Sequence, residues 1–455
     1  MRRRLLLLLA LFVLTSLACN LLQGPQQPVI PTPPPFATVE MPAADADSVS
    51  VLPEDVVFNP VSHIVPAVDP TIGALVNEVS VQQLASYVQT LERFGTRHTL
   101  SVTDREDYGI GAARLWLYQE FLQVGNGRLQ VEVDSFPLTL NGITTVQQNI
   151  IATLPGNGSV PGAVVLTAHY DSRTVDPNDG VSRAPGANDN GSGVAAMLEV
   201  ARLLSAQEWN MDVIFIAFTA EEQGTHGSLH FVTDQMIQDL GITAVFNNDI
   251  VGGRPGIPQS IRVFTAGPDT SPSRQVVRYV DLITGLYVPQ FGITMIDAVD
   301  RPGRYSDHMR FLDVGIPAMR FTESVEDRDR QHNALDTSDA IDYNYLLQVA
   351  QFNLATIANI AGAPARPEPP LISPLDTPGQ YLFSWAVDPA VNGYALSLRP
   401  VGKDDFAPFR FVEAAEAGQV VITDIDPGTT YAVSIAALDE NGRLSLFSPE
   451  TILQP

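Results

Sequence analysis

Buried strands alternate with helical segments along the middle of this chain, and this alternation restricts the fold more than any other feature. Continuous apolar runs occur in AVVLTAHYD, MDVIFIAFTAEE and TAVFNNDIVGG, as in strands covered on both faces of a sheet. Apolar residues at helical spacing between Gly191 and Leu204 indicate a buried helix. The sequence therefore predicts an α/β fold with a mostly parallel central sheet flanked by helices.

Acidic side chains and a histidine follow the three apolar runs. His169 and Asp171 end the first run, Glu221 and Glu222 the second, and Asp249 the third. The carboxyl ends of parallel strands share one edge of a sheet, where α/β proteins bind their ligands. We therefore expect these side chains to lie together on one rim.

Several carboxylates on one rim require a compensating cation, because like charges and burial both raise carboxylate pKa values. The basic residues nearby in sequence do not fall at the strand ends, and histidine with carboxylates suits zinc. Each residue has a simpler interpretation when taken alone. The histidine could bond a backbone carbonyl, Asp189 could cap the next helix, and the two glutamates could form an exposed turn. Their coincidence at strand ends favours a metal site.

Six ordered motifs, HYDS, GANDNGSG, TAEEQG, NNDIVG, YSDHMRFLDVGIPA and RQHNALDT, carry a family resemblance over roughly residues 81–361. They are similar to those of the di-zinc aminopeptidase family of bacterial leucyl aminopeptidases, whose relatives include glutamate carboxypeptidase and glutaminyl cyclase. The resemblance implies two zinc ions. His169 and Asp249 would bind one ion, Glu222 and His332 would bind the second, and Asp189 would bridge the two.

The same resemblance assigns the remaining roles. Glu221 would act as general base on a water held between the metals, Asp171 would orient His169, and a cis peptide would follow Asp189. Tyr305 would support the oxyanion, and with Asp307 it would line the approach to the site. We interpret the other histidines, including the zinc-helix-like pair His226 and His230, as structural: His63, His98, His226, His230 and His308.

The amino terminus predicts export. Three arginines, an apolar run from Leu5 to Leu14 and a small-residue end at Cys19 are typical of a signal peptide, residues 1–19. The end resembles a lipobox, although Ser16 stands where leucine is usual, so Cys19 would carry a lipid anchor. A cleaved, secreted form and an uncleaved leader are the alternatives. The Pro-rich composition of residues 20–70 predicts a disordered tether.

Charge and cysteine content narrow the classes of protein further. The 455-residue chain has 51 acidic and 26 basic side chains and a formal net charge of −25, which repels nucleic acid and anionic lipid headgroups. Its single cysteine cannot form an internal disulfide and excludes a Cys-rich metal site. We expect an exported protein stabilised by its core and by metals.

The carboxyl-terminal part follows a different pattern. A Pro-rich linker leads from the expected catalytic domain, residues 71–362, into short alternating strands across residues 363–455. This pattern predicts a small all-β sandwich. Trp385 and a corner Tyr431 resemble those of a fibronectin type III domain. The domain would be a spacer or would contact a polymer or cell surface.

The sequence thus predicts an exported zinc aminopeptidase acting on peptides. Two activities on the same site remain open, namely a carboxypeptidase and a one-zinc glutaminyl cyclase. A carboxypeptidase would need cations such as Arg301, Arg304, Arg328 and Arg330. A catalytically inactive binding protein is the alternative from another class.

Overall fold

A computed structural model describes residues 56–60, 65–233, 240–406 and 408–455 of the chain. The signal peptide, Cys19, His63 and most of the expected tether lie outside the described residues. Within the described part, no helix has both the length and the apolar character needed to cross a bilayer.

A twisted eight-stranded sheet forms the centre of the larger domain, in the order β2-β3-β5-β4-β6-β9-β7-β8. The strands β5, β4, β6 and β9 run parallel to one another, whereas β2, β3 and β7 add antiparallel pairings. The strands are β2 (Gln130–Leu140), β3 (Ile143–Leu154), β4 (Ala163–His169), β5 (Asp212–Phe218), β6 (Ile242–Asn248), β7 (Ser260–Thr265), β8 (Gly292–Asp297) and β9 (Ala318–Glu323). The predicted fold class is confirmed.

Helices cover the sheet, and several begin at side-chain caps. Asp69, Ser80, Ser271 and Asp342 each accept a hydrogen bond from a first-turn N–H group, as helix N-caps do. The helices are α1 (Pro70–Asn77), α2 (Val81–Arg93), α3 (Gly109–Val124), α4 (Gly193–Leu204), α5 (His226–Thr233), α6 (Pro272–Tyr287), α7 (His308–Asp313) and α8 (Tyr343–Gly362). The two helices predicted before the sheet correspond to α2 and α3.

The apolar runs of the sequence are the central strands of the sheet. Every residue of β4 and β9 is buried, as are six of the seven residues of β5. The predicted helix from Gly191 begins two residues later, at Gly193, because an irregular helical turn spans Ala187–Ser192. That turn carries Asp189.

The carboxyl-terminal domain consists of two four-stranded sheets, ordered β1-β14-β11-β10 and β13-β12-β15-β16. Phe383, Tyr394, Leu396 and Ile435 are among the residues of the apolar core that both sheets share. The strands are β1 (Val57–Phe58), β10 (Leu371–Pro374), β11 (Tyr381–Ser384), β12 (Gly393–Pro400), β13 (Arg410–Glu413), β14 (Gln419–Ile422), β15 (Tyr431–Leu438) and β16 (Thr451–Leu453).

The two domains pack directly against each other along α6. Tyr279 donates a hydrogen bond to the carbonyl of Leu444 at 2.5 Å, and Gln275 donates one to the carbonyl of Ser448 at 2.8 Å. The segment before α1 also joins them. β1 pairs with β14 of the second domain, and Asp69 binds Arg443 at 2.8 Å. Residues near the end of the expected tether therefore belong to the folded structure.

Candidate metal centre

Four loops bring the predicted ligands together at the carboxyl edge of the sheet. His169 ends β4, and Asp249 follows β6. Glu222 lies in the turn after β5, and His332 lies in the loop between β9 and α8. Asp189 reaches the same place from the irregular turn before α4. The five residues are buried or nearly so, with His332 the most exposed at 12% of its side chain.

The distances divide these side chains into two sets that share Asp189. His169 Nε2 lies 3.4 Å from both Asp189 Oδ1 and Asp249 Oδ1. His332 Nε2 lies 3.1 Å from Asp189 Oδ2 and 3.3 Å from Glu222 Oε2. The two oxygens of Asp189 therefore face different histidines.

These spacings suit atoms that share a cation. Two ligands at about 2.0–2.1 Å from a tetrahedral zinc ion are roughly 3.3 Å apart. Among the described residues, His169 Nε2 and Glu222 Oε1 are buried without a hydrogen-bond partner, a costly state unless another ligand is present. The residues present fit zinc.

Glu221 lies beside the first set. Its Oε2 is 3.9 Å from His169 Nε2, farther than either aspartate oxygen. By spacing of donor atoms alone, Glu221 can also be grouped with His169 and Asp249 as a ligand. We favour a role outside the ligand set for Glu221, because the closer Asp189 completes the first set and uses its second oxygen in the other.

Asp171 connects the loops after β4 and β5. Its carboxylate accepts the N–H groups of Glu221 and Glu222, both at 3.1 Å. His169 Nδ1 lies 3.2 Å from the Asp171 carbonyl and 3.5 Å from its Oδ1. The expected contact of His169 with the carboxylate is thus the longer of the two, and the carboxylate mainly fixes the glutamate turn.

The pKa values in the cluster depart from their usual range for identifiable reasons. Burial raises the pKa of Glu222 to about 7, and it raises that of Glu221 well above its ordinary value. Burial also opposes ionisation of Asp189, but the adjacent rings of His169 and His332 hold its pKa well below the usual range. Burial lowers the pKa of His169. The negative charges of Glu221 and of the aspartates around the ring raise it by more, so that the pKa lies well above its usual value. Arg173 and Arg320 pair with Glu222 at 2.7 Å and with Asp249 at 3.0 Å and supply part of the positive charge that these buried carboxylates need.

Three contacts that support the cluster do not appear in the sequence predictions. Asp336 accepts the N–H groups of Asn188 and Asp189 at 2.8 and 2.9 Å. Arg97 is buried and donates to backbone carbonyls on both sides of the site, including those of Tyr170 and Gly186. Arg320 pairs with Asp249 at 3.0 Å. Position after a buried strand could not reveal these residues, although Asp336 lies within the RQHNALDT motif.

Tyr305 and Asp307, the other predicted site residues, differ in burial. Tyr305 is 61% exposed, and the structure does not bring it into either ligand set. Asp307 is buried and accepts a hydrogen bond from Ser228 at 2.6 Å, and burial raises its pKa to about 7. The predicted cis peptide between Asp189 and Asn190 is present.

The remaining histidines within the described residues have other partners. His230 pairs with Asp134 at 2.9 Å and stacks on Phe136. His98 and His308 lie 2.9 and 2.8 Å from backbone carbonyls, and His226 is in neither ligand set. These contacts are consistent with a structural role for His98, His230 and His308, and the structural role of His226 stays a prediction.

An α/β sheet that gathers buried carboxylates and histidines at its carboxyl edge defines the class as a metal-dependent hydrolase. A sequence profile of peptidase family M28 matches residues 149–357. A probable zinc metalloprotease of Leptosphaeria maculans is 32% identical over 374 residues, which cover 73% of this chain and 87% of the relative. The chain belongs to peptidase family M28.

Other relatives and solved structures extend the comparison. A probable zinc metalloprotease of Pyricularia oryzae is 30% identical, over 75% of this chain and 78% of the relative. The LapA aminopeptidase of Legionella pneumophila has a TM-score of 0.52 at 22% identity, covering 69% of this chain and 78% of LapA. A glutaminyl cyclase of Porphyromonas gingivalis has a TM-score of 0.50 at 22% identity, covering 61% and 98%. At these identities, the two structures show a shared fold.

Proposed function

We propose that this chain is an exported zinc aminopeptidase that hydrolyses the first peptide bond of its substrates. The shared position of Asp189 between two histidine-carboxylate sets carries the proposal. A pair of zinc ions would be held by His169, Asp189, Glu222, Asp249 and His332. The zinc metalloprotease relatives and the fold shared with LapA support this activity.

Zinc at this site would supply Lewis acidity, lowering the pKa of water and polarising the scissile carbonyl. Glu221 takes the proton from the attacking water and delivers it to the leaving nitrogen. Its carboxylate lies beside the two ligand sets, with Oε2 3.9 Å from His169 Nε2, and a carboxylate in that position can serve as acceptor and then donor of the proton. Asp171 holds the backbone of the turn that presents it.

Substitution of Glu221 by glutamine tests this role. The variant should keep its zinc and lose about 10²- to 10⁴-fold in kcat, because a general base contributes that much. Kinetics and zinc content measured on the same preparation provide the check. Glu208→Gln, at an exposed glutamate, is the matched control. Near-normal hydrolysis by a zinc-loaded Glu221→Gln enzyme would refute the assignment.

A substrate panel separates the related activities. Amino-acid p-nitroanilides and carboxy-blocked peptides should be cleaved, and a chelator should abolish the cleavage. Arg301, one cation considered for binding a terminal carboxylate, is buried and already pairs with Asp300 and Glu326, so this arginine does not support a carboxypeptidase. Cyclisation of amino-terminal glutamine peptides without peptide cleavage would favour the cyclase. No turnover and no zinc would favour the inactive binding protein.

Tyr305, which is exposed, is proposed to stabilise the oxyanion. Tyr305→Phe should lower kcat by about 10²-fold, as loss of one oxyanion donor does, with little change in KM. Steady-state kinetics decide the point, and an unchanged kcat would remove Tyr305 from the mechanism.

Lipid anchoring at Cys19 is proposed from the leader sequence. Incorporation of labelled fatty acid by the wild-type chain, lost in Cys19→Ala, would support an anchor on the outer face of the membrane. Release of an unlabelled wild-type protein into the medium would favour the secreted form.

The carboxyl-terminal domain is proposed to be fibronectin type III-like. Its two sheets support this, as does Tyr431, whose hydroxyl accepts the N–H of Asp426 at 3.4 Å in the manner of a corner tyrosine. Polymer or cell-surface binding by this domain stays a prediction, which a pull-down of cell-wall polymers and whole cells with the purified full-length protein would test.

A further inference from the structure

A fully buried arginine on β9 divides the two oxygens of Asp249 between different partners. Arg320 Nη2 lies 3.0 Å from Asp249 Oδ2, and its side chain is 0% exposed. The other oxygen, Oδ1, lies 3.4 Å from His169 Nε2. Only Oδ1 therefore faces the histidine with which Asp249 would share an ion.

Arg320 is itself held from the opposite side. Its Nη1 donates to both oxygens of Asp300, at 2.7 and 2.9 Å. Asp300 also pairs with Arg301, and Arg301 pairs with Glu326. Ion pairs of alternating charge thus connect Glu326, through Arg301, Asp300 and Arg320, to Asp249. Each side chain is held by its neighbours in this series.

The rigid guanidinium makes this arrangement specific. Its planar fork can bind one carboxylate through each nitrogen, whereas a lysine ammonium is a single point of charge on a flexible stem. A carboxylate whose Oδ2 is fixed in this way cannot turn freely. Partners outside the ligand shell commonly orient the ligands of metal sites in this manner.

We propose that Arg320 is a positioning residue for zinc, holding Asp249 so that Oδ1 stays directed to the ion shared with His169. This inference rests on the proposed function, in which Asp249 is a ligand. It adds a residue that acts through Asp249 and does not touch substrate or metal.

Arg320→Met tests the proposal. The zinc ion shared with His169 should bind about 10- to 100-fold more weakly, as is typical when an orienting partner is lost, while affinity for the other ion is unchanged. Competition of the folded protein with a chelating dye measures both affinities without reference to activity. Equal weakening of both ions, or no change in either, would overturn the proposal.

Arg399→Met is the matched control for the cost of removing a buried arginine. Arg399 is also 0% exposed and also lies between two carboxylates, Glu450 at 2.9 Å and Asp269 at 2.7 Å. It lies in β12, outside the metal site. The Arg399→Met variant should lower thermal stability, as Arg320→Met does, and should leave both zinc affinities unchanged. Equal zinc loss in the two variants would show that the effect is general destabilisation.

Two further variants keep the outcome decisive. Arg320→Lys keeps the charge and loses the fork, so it should fold and show a smaller, site-selective loss of affinity. If Arg320→Met does not fold, an unchanged affinity in Arg320→Lys overturns the proposal.

Asp249→Asn separates this inference from its premise. Full zinc binding by Asp249→Asn refutes the assignment of Asp249 as a ligand. Weaker zinc binding by Asp249→Asn together with unchanged zinc binding by Arg320→Met refutes only the positioning role of Arg320.

Discussion

Two backbone hydrogen bonds fix the segment that carries Asp189, the proposed bridging residue. The carboxylate of Asp336 accepts two successive N–H groups, those of Asn188 and Asp189, with one oxygen each. The backbone that carries Asp189 is thus fixed by a side chain from the loop of His332. One loop therefore carries His332, a proposed ligand, and also fixes the backbone of Asp189, which lies between both sets.

Replacing Asp336 by asparagine should loosen this turn. Asparagine offers one acceptor oxygen, so one buried N–H group would lose its partner at a cost of about 1–3 kcal/mol. We expect lower thermal stability and about 10-fold weaker zinc binding or more, measured by calorimetry and chelator competition. Asp339→Asn, an exposed change in the same loop, should alter neither. Wild-type zinc affinity in Asp336→Asn would contradict this account.

Helix α4 begins at a crowded point of the backbone. A Cβ added at Gly193 would lie 2.4 Å from Asn190 Oδ1 and 2.6 Å from the carbonyl of Asn248. Asn190 follows Asp189, and Asn248 precedes Asp249. The first residue of this helix therefore has to be glycine for both ligand-bearing segments to approach it.

Gly193→Ala should consequently destabilise the protein and weaken zinc binding, even though alanine is normally the better helix residue. Gly285→Ala is the matched control, because a Cβ at that position in α6 meets nothing within 4 Å. The control should be neutral or stabilising by up to about 1 kcal/mol. Thermal unfolding of the two variants gives the comparison. Equal stability of both would show that the segments around Gly193 can move apart.

The central elements could be predicted from the sequence because buried strands are continuous apolar runs. The strand-end rule placed His169, the two glutamates and Asp249 on one rim, and the structure brings them together there. The supporting contacts could not be predicted in this way. Arg97 bonds a carbonyl 73 residues away, and Asp336 bonds an N–H group 147 residues away. Such contacts depend on how distant segments pack together, and no local pattern of apolar and polar residues indicates them.

At the scale of the whole molecule, the two domains share an apolar core. Leu444, Leu446 and Phe447 belong to the same apolar cluster as residues of α6 and α8. Arg399 is buried between Glu450 of its own domain and Asp269 of the other. The sequence predicted a Pro-rich linker between the two domains, but composition carries no information on which surfaces pack together.

The full-length chain should therefore unfold in a single thermal transition. Apolar burial and buried ion pairs across the interface make the two domains one cooperative unit. Differential scanning calorimetry measures this directly, and Arg443→Met, which removes the contact with Asp69, should lower the midpoint without splitting the transition. Two separate transitions in the wild-type protein would show independent domains.

The most direct test of the central claim is the zinc content of the wild-type protein and of Asp189→Ala, measured on folded, gel-filtered samples. Asp189 directs one oxygen to each histidine. The account predicts two zinc ions per wild-type chain and loss of both from the variant. Retention of either ion by Asp189→Ala would show that the two sites do not share this carboxylate.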